Sequence, residues 1–454
     1  MVKVTLVYPF FQPRKGNSIF RFPPLGLGYL AAALKKHGAD VELVDCTFLT
    51  MQEALNRIIH SNPQIVGVYS MFSMKKTSLE IAKQLRGKCD LLVAGGPLPT
   101  LDPTDFLEVF DVVAVGEGEE TLIDLVNCVE TGASISSVKG IAYKQAGLVR
   151  HAPQRAFVAN LDSLAFPSRE LFDNQAYQQY YLKRFGYSTT PLMSSRGCPF
   201  SCDFCSRPVF GTSFRSRSPE NIVAEAEEIA ALGYERIWFA DDCFTLNPQN
   251  VERVCDLLVQ RGVDIGWECL SRVDTLNVKV ARSMKRGGCV RVFFGIESGN
   301  DGVLGIMNKQ ITTEQARQAV LAAKEAGLQV GAFFIVGYPG ETDRTVLDTV
   351  RFASGLPLDY LSFTLPYPIP GTALHERVKD NGGVMVDDWE EPKNWSLIRQ
   401  KLLYGSSFSE TKLKFAIAKA QVQFRSRRFL GDGAYNVVGA PFEGLTDAAF
   451  KLLK

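Results

Sequence analysis

Short apolar segments alternate with amphipathic segments along most of this chain. In residues 1–145, five segments rich in Val, Ile or Leu have the length of buried β-strands: 2–8, 41–44, 65–70, 91–94 and 112–115. Four segments between them repeat apolar residues every three or four positions, as amphipathic helices do: 25–37, 51–60, 75–86 and 119–130. Strands and helices that alternate with short loops predict an α/β fold, with a doubly wound, Rossmann-like parallel sheet.

A second run of the same alternation occupies residues 186–375. Its predicted strands are 190–194, 236–240, 265–268, 290–295, 331–337 and 361–365, and its predicted helices are 219–232, 250–260, 279–286, 313–326 and 344–354. Six such repeats predict a partial (β/α)6 barrel, whose active site lies at the carboxyl ends of the strands. Residues 146–185 are richer in Gln, Tyr and Pro and predict a linker. Residues 376–454, with Trp389, Trp395 and a basic helix at 410–428, predict a small helical C-terminal domain.

Charge and composition narrow the functional classes. The 454 residues include 50 Lys and Arg against 49 Asp and Glu, a net charge of +1, which argues against binding nucleic acid by bulk electrostatics. No apolar stretch approaches the ~20 residues that a membrane-spanning helix needs. The first residues predict a strand and not a signal peptide, so we expect a cytoplasmic protein. In that compartment the ten cysteines are expected to serve metal binding or catalysis more than disulfides.

Three of these cysteines are closely spaced. Cys198, Cys202 and Cys205 follow a predicted strand, on a loop in which each thiolate can meet a different part of one iron–sulfur cluster. A [4Fe–4S] cluster normally takes four thiolates, so three would leave one iron open for a substrate. A structural zinc site is the alternative, but zinc would need a fourth ligand and the next cysteine is Cys243.

In the first domain, glycine-rich loops follow two strands, and a serine-flanked loop follows a third. The loops contain Gly95-Gly96-Pro97, Gly116-Glu117-Gly118 and Ser70-Met71-Phe72-Ser73. Ligands of doubly wound sheets bind at the carboxyl ends of strands, and glycine lets backbone N–H groups approach a bulky polar ligand. These loops are therefore candidates for a ligand site, with the alternative that Met71 and Phe72 belong to the core.

The cysteine motif, with Phe204 before its last cysteine, is the signature of radical S-adenosylmethionine (SAM) enzymes, which this chain resembles. The first domain is similar to the cobalamin-binding domain that precedes many of them, on the strength of 23–30, the Gly-Gly-Pro loop and 115–119. The resemblance implies three cofactors, namely a [4Fe–4S] cluster on the three cysteines, SAM and cobalamin. It places cobalamin against Ser70, Met71, Phe72, Gly95, Gly96, Pro97, Gly116, Glu117 and Gly118.

One departure from other cobalamin proteins is visible. The Asp-x-His-x-x-Gly signature, whose histidine ligates cobalt, is absent, and all four histidines (His37, His60, His151 and His375) lie outside such a pattern. We therefore expect a cobalt without a histidine ligand, its lower face meeting the 70–73 loop.

In the barrel, segments 239–242, 294–299, 336–341 and 366–372 resemble the radical SAM domain of the same group. That likeness implies that SAM contacts Phe204, Asp241, Arg272, Glu297, Ser298 and Tyr338. A carboxylate and a guanidinium suit the zwitterionic methionyl end of SAM. Two alternatives stay open: Asp241 and Asp242 as a helix N-cap, and 337–341 as a plain turn.

The family likeness implies an enzyme: a cobalamin-dependent radical SAM C-methyltransferase that moves a methyl group from SAM via methylcobalamin to an unactivated carbon. Methanogen enzymes that methylate residues such as a glutamine of methyl-coenzyme M reductase resemble it in layout, so a peptide is one expected substrate and a small molecule the other. The alternatives are a methylthiotransferase, in which Cys46, Cys89 and Cys128 would hold a second cluster, a ring-forming or ring-rearranging enzyme, and a non-catalytic sensor. The expected protein partner is an electron donor such as flavodoxin or ferredoxin; membrane and nucleic acid are not expected partners.

Overall fold

Two compact units make up the protein in the computed structural model, which describes residues 1–11, 21–205, 209–380 and 401–453. The first unit comprises Met1–Cys198 and Arg207–Ala240, and the second comprises Pro199–Ser206 and Asp241–Lys454. No helix in these described ranges is long and apolar enough to span a membrane.

The first unit begins with a seven-stranded sheet. Its strands are β1 Lys3–Tyr8, β2 Asp40–Asp45, β3 Ile65–Tyr69, β4 Leu91–Gly95, β5 Val112–Ala114, β6 Ile141–Gln145 and β7 Leu148–His151. The helices between them are α1 Leu25–His37, α2 Met51–His60, α3 Lys75–Leu85, α4 Pro97–Leu101 and α5 Glu119–Thr131. The strand order is β2-β1-β3-β4-β5-β6-β7, and β1 to β5 are parallel, which confirms the predicted doubly wound sheet. The chain adds β2 on one side of β1 and β3 to β5 on the other, so the switch in strand order lies between β1 and β3.

Both faces of this sheet are buried, which explains why its strands are short continuous apolar runs. Val66 and Val68 pack into the core on one face, whereas Ile65 packs into the core on the other. Successive side chains of a strand point to opposite faces, so both sets must be apolar when helices cover both sides. Each fully buried aliphatic side chain contributes ~1.5–3 kcal/mol, and this two-sided core positions the loops at the strand ends.

The edge of the sheet differs from the prediction. Strands β6 and β7 run antiparallel, and β7 extends the sheet to His151, past the expected domain boundary at residue 145. Ala146 and Gly147 between them both have positive φ, of 51° and 77°, as a two-residue hairpin turn requires. The expected linker 146–185 thus begins with a strand of the sheet, and it ends with helix α6 Asn174–Phe185.

The remaining strands of the first unit are β8 Thr189–Leu192, β9 Ser195–Arg196, β10 Arg215–Ser216 and β11 Arg236–Phe239, with helix α7 Pro219–Ala231 before β11. Strands β8 and β11 pair in parallel, and β9 and β10 form a short antiparallel pair.

The second unit continues the β/α alternation. Its first elements are α8 Pro248–Gln260, β12 Gly266–Ser271, α9 Val278–Arg286, β13 Cys289–Glu297, α10 Asp301–Ile306, α11 Thr313–Glu325, β14 Gln329–Ile335, α12 Asp343–Gly355 and β15 Tyr360–Thr364. Strands β12 to β15 are parallel and adjacent in chain order. Together with β8 and β11 they are the six strands that the sequence predicts for the partial barrel.

The described residues after β15 contain four more helices: α13 Ala373–Asp380, α14 Glu410–Leu430, α15 Asp432–Val438 and α16 Ala440–Leu452. Helix α14 packs against α12. The basic helix predicted at 410–428 corresponds to α14, whereas α13 and α15 were not predicted. Trp389 and Trp395 lie outside the described residues.

Candidate active site

A cavity of about 370 Å³ lies in the first unit, at the carboxyl ends of β1, β3, β4 and β5. This is where a doubly wound sheet of this strand order binds its ligands. Six of the nine residues predicted to contact cobalamin line it: Gly95, Gly96, Pro97, Gly116, Glu117 and Gly118. The rest of the lining was not predicted from the sequence. It includes the aromatic rings of Tyr8, Phe22, Tyr29, Tyr69 and Phe210 together with Met193 and Arg196.

The other three predicted contacts lie outside this lining. Ser70 is fully buried and accepts a hydrogen bond from the Ser78 hydroxyl at 2.8 Å. Phe72 packs against the core of the unit, whereas Met71 is 37% exposed. Tyr69, the residue before this loop, lines the cavity instead. None of the four histidines is among the residues that line the cavity.

The two glycines after β4 have different roles. A Cβ on Gly96 would lie 2.6 Å from the carbonyl oxygen of Ser70, and its φ of +104° is one that L-residues rarely adopt. A Cβ on Gly95 would meet nothing closer than the Ala114 Cβ at 3.8 Å. Gly96 is therefore required by the fold, whereas Gly95 leaves space open on a wall of the cavity, which fits a bulky ligand that approaches the backbone.

Cys198, the first cysteine of the motif, is held by its backbone in the first unit. Gly197 has φ of +84°, and a Cβ there would lie 2.3 Å from the Ser213 carbonyl oxygen. The Cys198 amide donates to the Gly211 carbonyl at 3.4 Å. Only glycine allows this close approach, so a residue with a side chain at 197 would displace the segment that leads to the cysteine.

The other two cysteines lie in the second unit. Cys202 is buried, Cys205 is half-buried, and the Cys205 amide donates to the Cys202 carbonyl at 3.1 Å. Between them, Asp203 is fastened by its ion pair with Arg377 at 2.6 Å. Within the described ranges, no three His, Cys, Asp or Glu side chains converge on one metal ion. A cubane cluster is a different case, because each thiolate binds a different iron.

Two buried cations surround Cys202. The Arg272 guanidinium lies 3.9 Å from its Sγ and stacks on the Phe200 ring at 3.5 Å. Burial alone would lower the pKa of Arg272, but the hydrogen bonds and charge of Asp274 and the charge of Cys202 outweigh it, so the pKa is raised. Likewise, burial opposes the charge on Lys309, yet the nearby Glu297 and Cys202 raise its pKa. Both side chains therefore stay cationic near the Cys202 sulfur.

At the end of β13, Glu297 combines burial with backbone strain. Its φ is +71°, uncommon for a residue with a side chain, and its Oε1 accepts from Lys309 Nζ at 2.9 Å. Such strain persists where surrounding contacts enforce it and is concentrated at functional sites. The next hydroxyl is less available, because Ser298 Oγ bonds Thr349 Oγ1 at 3.0 Å and accepts from the Asn300 amide at 3.2 Å.

The loop after β14 contains two buried polar atoms that have no hydrogen-bond partner among the described residues: the Tyr338 hydroxyl and Glu341 Oε1. The other oxygen of Glu341 accepts from the Gly337 and Tyr338 amides at 2.7 and 2.8 Å. Burial raises the pKa of Glu341 to about 7. The Tyr338 ring lies 6.5 Å from the Phe204 ring, edge to face. An orphaned buried hydroxyl beside the cysteine loop fits a polar ligand such as SAM.

The N-cap alternative for Asp241 and Asp242 is wrong. Helix α8 begins at Pro248, and its N-cap is Asn247, whose side chain accepts from the Asn250 amide. Asp241 is buried and Asp242 is exposed. The structure thus brings Phe204, Arg272, Glu297 and Tyr338 into the surroundings of Cys202 through the contacts above.

Comparison with known proteins identifies the family. The profile of the radical SAM superfamily matches residues 192–353, and that of the B12 binding domain matches residues 15–126. An uncharacterized methyltransferase of Pyrococcus horikoshii is 36% identical over 417 residues, which cover 89% of this chain and 88% of the relative. The chain belongs to the radical SAM superfamily. Like other members with a B12 binding domain, this radical SAM enzyme has a [4Fe–4S] cluster, SAM and cobalamin as its cofactors.

Other relatives of this radical SAM enzyme differ in their reactions. The anaerobic magnesium-protoporphyrin IX monomethyl ester cyclase of Cereibacter sphaeroides is 26% identical, covering 95% of this chain and 74% of the cyclase. Two solved structures share the fold at 20% identity. The methyltransferase TsrM of Kitasatospora setae, with cobalamin and [4Fe–4S] cluster bound, has a TM-score of 0.70 and covers 84% of this chain and 76% of TsrM. The radical enzyme OxsB, with aqua-cobalamin bound, has a TM-score of 0.73 and covers 99% of this chain and 72% of OxsB.

Proposed function

We propose that this enzyme transfers a methyl group from SAM, by way of cobalamin, to an unactivated carbon. The observation that supports this most is that one chain combines a ligand cavity in a B12 binding unit with a cysteine loop whose Cys202 is flanked by buried cations. When bound, the cluster supplies the electron that cleaves SAM and cobalamin carries the methyl group, which are chemistries that no side chain performs.

The residues around Cys202 would hold the cluster and the methionyl end of SAM. Cys198, Cys202 and Cys205 would ligate three irons. Arg272 would balance the negative charge of the cluster. Asp274 holds its Nε and Nη2 at 2.9 Å, so Nη1, which faces Cys202, is the nitrogen that would pair with the SAM carboxylate.

The strained Glu297 would meet the SAM amino or ribose group, and Lys309 would keep that carboxylate in place. Tyr338 would supply its unpartnered hydroxyl to the same ligand. Burial of these groups excludes water, which strengthens each polar contact.

A finer proposal concerns the acceptor, which we infer to be a carbon of a peptidyl residue, such as the glutamine of methyl-coenzyme M reductase. The likeness in layout to the methanogen enzymes supports it. A small-molecule acceptor is the outcome that would replace it.

Anaerobic reconstitution with iron, sulfide and cobalamin tests the function. With a reductant and SAM labelled in its methyl group, the enzyme should form 5′-deoxyadenosine and transfer the label to a candidate peptide, detected by mass spectrometry. Cys202→Ala should do neither, whereas Cys255→Ala, which alters a buried thiol in helix α8, should do both. Formation of 5′-deoxyadenosine without methyl gain on any acceptor would contradict methyl transfer and favour a cyclase.

The structure offers no support for the second cluster that a methylthiotransferase would need. Cys46 lies in the core on one face of the first sheet and Cys89 packs against that core, but Cys128 lies in the core on the other face. Burial raises the pKa of Cys46 and Cys128, and that of Cys89 to about 11, which disfavours the thiolate that binds iron. Total iron should therefore be about four per chain and not eight, the number for two [4Fe–4S] clusters.

A further inference from the structure

Arg196, two residues before Cys198, connects the cysteine segment to a wall of the cavity. Its Nη1 donates to Glu117 Oε1 at 3.0 Å, and its Nη2 donates to Glu119 Oε1 at 2.6 Å. The three side chains are buried, with exposed fractions of 3–6%. Glu117 lies in the 116–119 loop that leads into helix α5, Glu119 is the first residue of that helix, and all three residues line the cavity.

The guanidinium is also fixed by rings that line the same cavity. It lies 5.3 Å from the centre of the Tyr29 ring and 5.0 Å from that of Phe210. Glu117 is fixed from other directions as well, since it accepts from Arg215 Nη1 at 2.9 Å and from the Val158 amide at 2.7 Å. Arg196 is therefore held by two carboxylates and two aromatic rings of the cavity wall.

The backbone carries this position on to the cysteine. Arg196 pairs with Arg215 across the β9–β10 ladder, and Gly197 touches the 213 carbonyl closely enough to exclude any side chain. A shift of the 116–119 loop must therefore move Arg196 or break a buried, charge-assisted hydrogen bond, which is strongly unfavourable. If Arg196 moves, Cys198 moves with it.

We propose that Arg196 is a positioning residue that links occupation of the cobalamin cavity to the position of the first cluster cysteine. Cobalamin that fixes the 116–119 loop would favour the cluster-binding position of Cys198, and an assembled cluster would in turn raise the affinity for cobalamin. Thermodynamic linkage makes the two effects equal. The inference depends on the cofactors of the family and not on which atom the enzyme methylates.

The test measures cobalamin affinity by anaerobic equilibrium dialysis of the full chain, with and without a reconstituted cluster. In the wild type the cluster should tighten binding about tenfold, within the 5- to 150-fold range typical of coupled sites. In Arg196→Met the ratio of the two dissociation constants should fall to about one. Arg196→Lys keeps the charge but cannot reach both carboxylates as a fork, so it should restore part of the ratio.

Two further variants keep the proposal refutable if Arg196→Met does not fold. Glu119→Gln retains the side-chain volume and should lower the ratio. Arg169→Met is the control for a lost buried arginine, because Arg169 pairs with Glu225 in the same unit and does not line the cavity; it should keep the wild-type ratio.

A second readout follows the cluster itself. The electron paramagnetic resonance spectrum of the reduced cluster with SAM should change when cobalamin is added to the wild type, and should not change in Arg196→Met. A wild-type ratio of one would overturn the proposal. So would Arg196→Met if it weakened cobalamin binding equally with and without the cluster, because Arg196 would then be only part of the cavity wall.

Discussion

Replacing Gly95 with valine should weaken cobalamin binding without unfolding the protein. The new Cβ would meet only the Ala114 Cβ, at 3.8 Å, so the branched side chain would occupy open space at the cavity wall. Gly95 is the last residue of β4, where a β-branched residue is well tolerated, so stability should change by less than ~1 kcal/mol. Forcing extra methyl groups against a bound ligand costs ~1–3 kcal/mol, which is about a 5- to 150-fold loss of affinity.

Equilibrium dialysis against cobalamin, urea unfolding and iron analysis measure the three relevant quantities in the same preparation. Cobalamin affinity should fall while the unfolding midpoint and iron content stay at wild-type values. Gly96→Ala is the variant for comparison, because its Cβ would lie 2.6 Å from a backbone oxygen and its φ of +104° is strained for alanine. It should lower the free energy of unfolding by ~1–3 kcal/mol, unlike Gly95→Val. Unchanged cobalamin affinity in Gly95→Val would refute the assignment of this cavity to cobalamin.

Three other predictions concern the cluster, a buried acid and the histidines. Changing Cys198, Cys202 or Cys205 to alanine should abolish 5′-deoxyadenosine formation, measured by chromatography, because each change removes one of the three proposed protein ligands of the cluster. Formation of 5′-deoxyadenosine by any of these variants would refute the cluster assignment. The pKa of Glu341 is raised from its ordinary 4.5 to about 7, so the folded state favours its protonated form. The protonated Glu341 therefore contributes stability below about pH 4.5, and this contribution, on the order of 3 kcal/mol at most, is lost as the pH rises to about 7. The free energy of urea unfolding should depend less on pH in Glu341→Gln than in the wild type across that window. An equal pH dependence in the two proteins would contradict the burial argument. His60 is exposed and, like the other three histidines, is not part of the cavity lining. The electron paramagnetic resonance spectrum of the Co(II) form of bound cobalamin should therefore show no nitrogen splitting from imidazole, and it should be identical in His60→Ala.

The spacing of apolar residues predicted the parallel strands and the helices between them closely, because both faces of the sheet and one face of each helix are buried. Helices α1 and α2 begin and end where the spacing of apolar residues predicts. Helix α6 was missed because its buried face consists of Tyr177, Tyr180 and Tyr181, whose hydroxyl groups obscure the apolar pattern. The β6–β7 hairpin was missed because its strands are short and mostly exposed, and only the Ala-Gly turn marks it.

The three cysteines that we propose as cluster ligands were readable from the sequence because they lie within eight residues, at a spacing that indicates their chemistry. The charged contacts around them could not be predicted from spacing, because they form only through the fold. Arg272, which only the family likeness indicated, reaches Cys202 from 70 residues away, and Arg196 reaches Glu119 from 77. Lys309 was also missed, although a buried lysine beside a strained glutamate is evident once the strand ends are placed. The cavity glycines were found from their place after predicted strands, although only Gly96 and Gly116 have a positive φ, of 104° and 82°.

The antiparallel hairpin of β6 and β7 also has a consequence for solubility. Without it, the three buried residues of β5 would form the outer edge of the sheet, with backbone N–H and C=O groups ready to pair with a second molecule. Strand β7 is short, and its residues, which include Arg150 and His151, are largely exposed, so the edge that it presents instead is a poor template for further pairing. A chain shortened to the parallel strands alone would be prone to self-association through β5, and the hairpin can be understood as protection against aggregation.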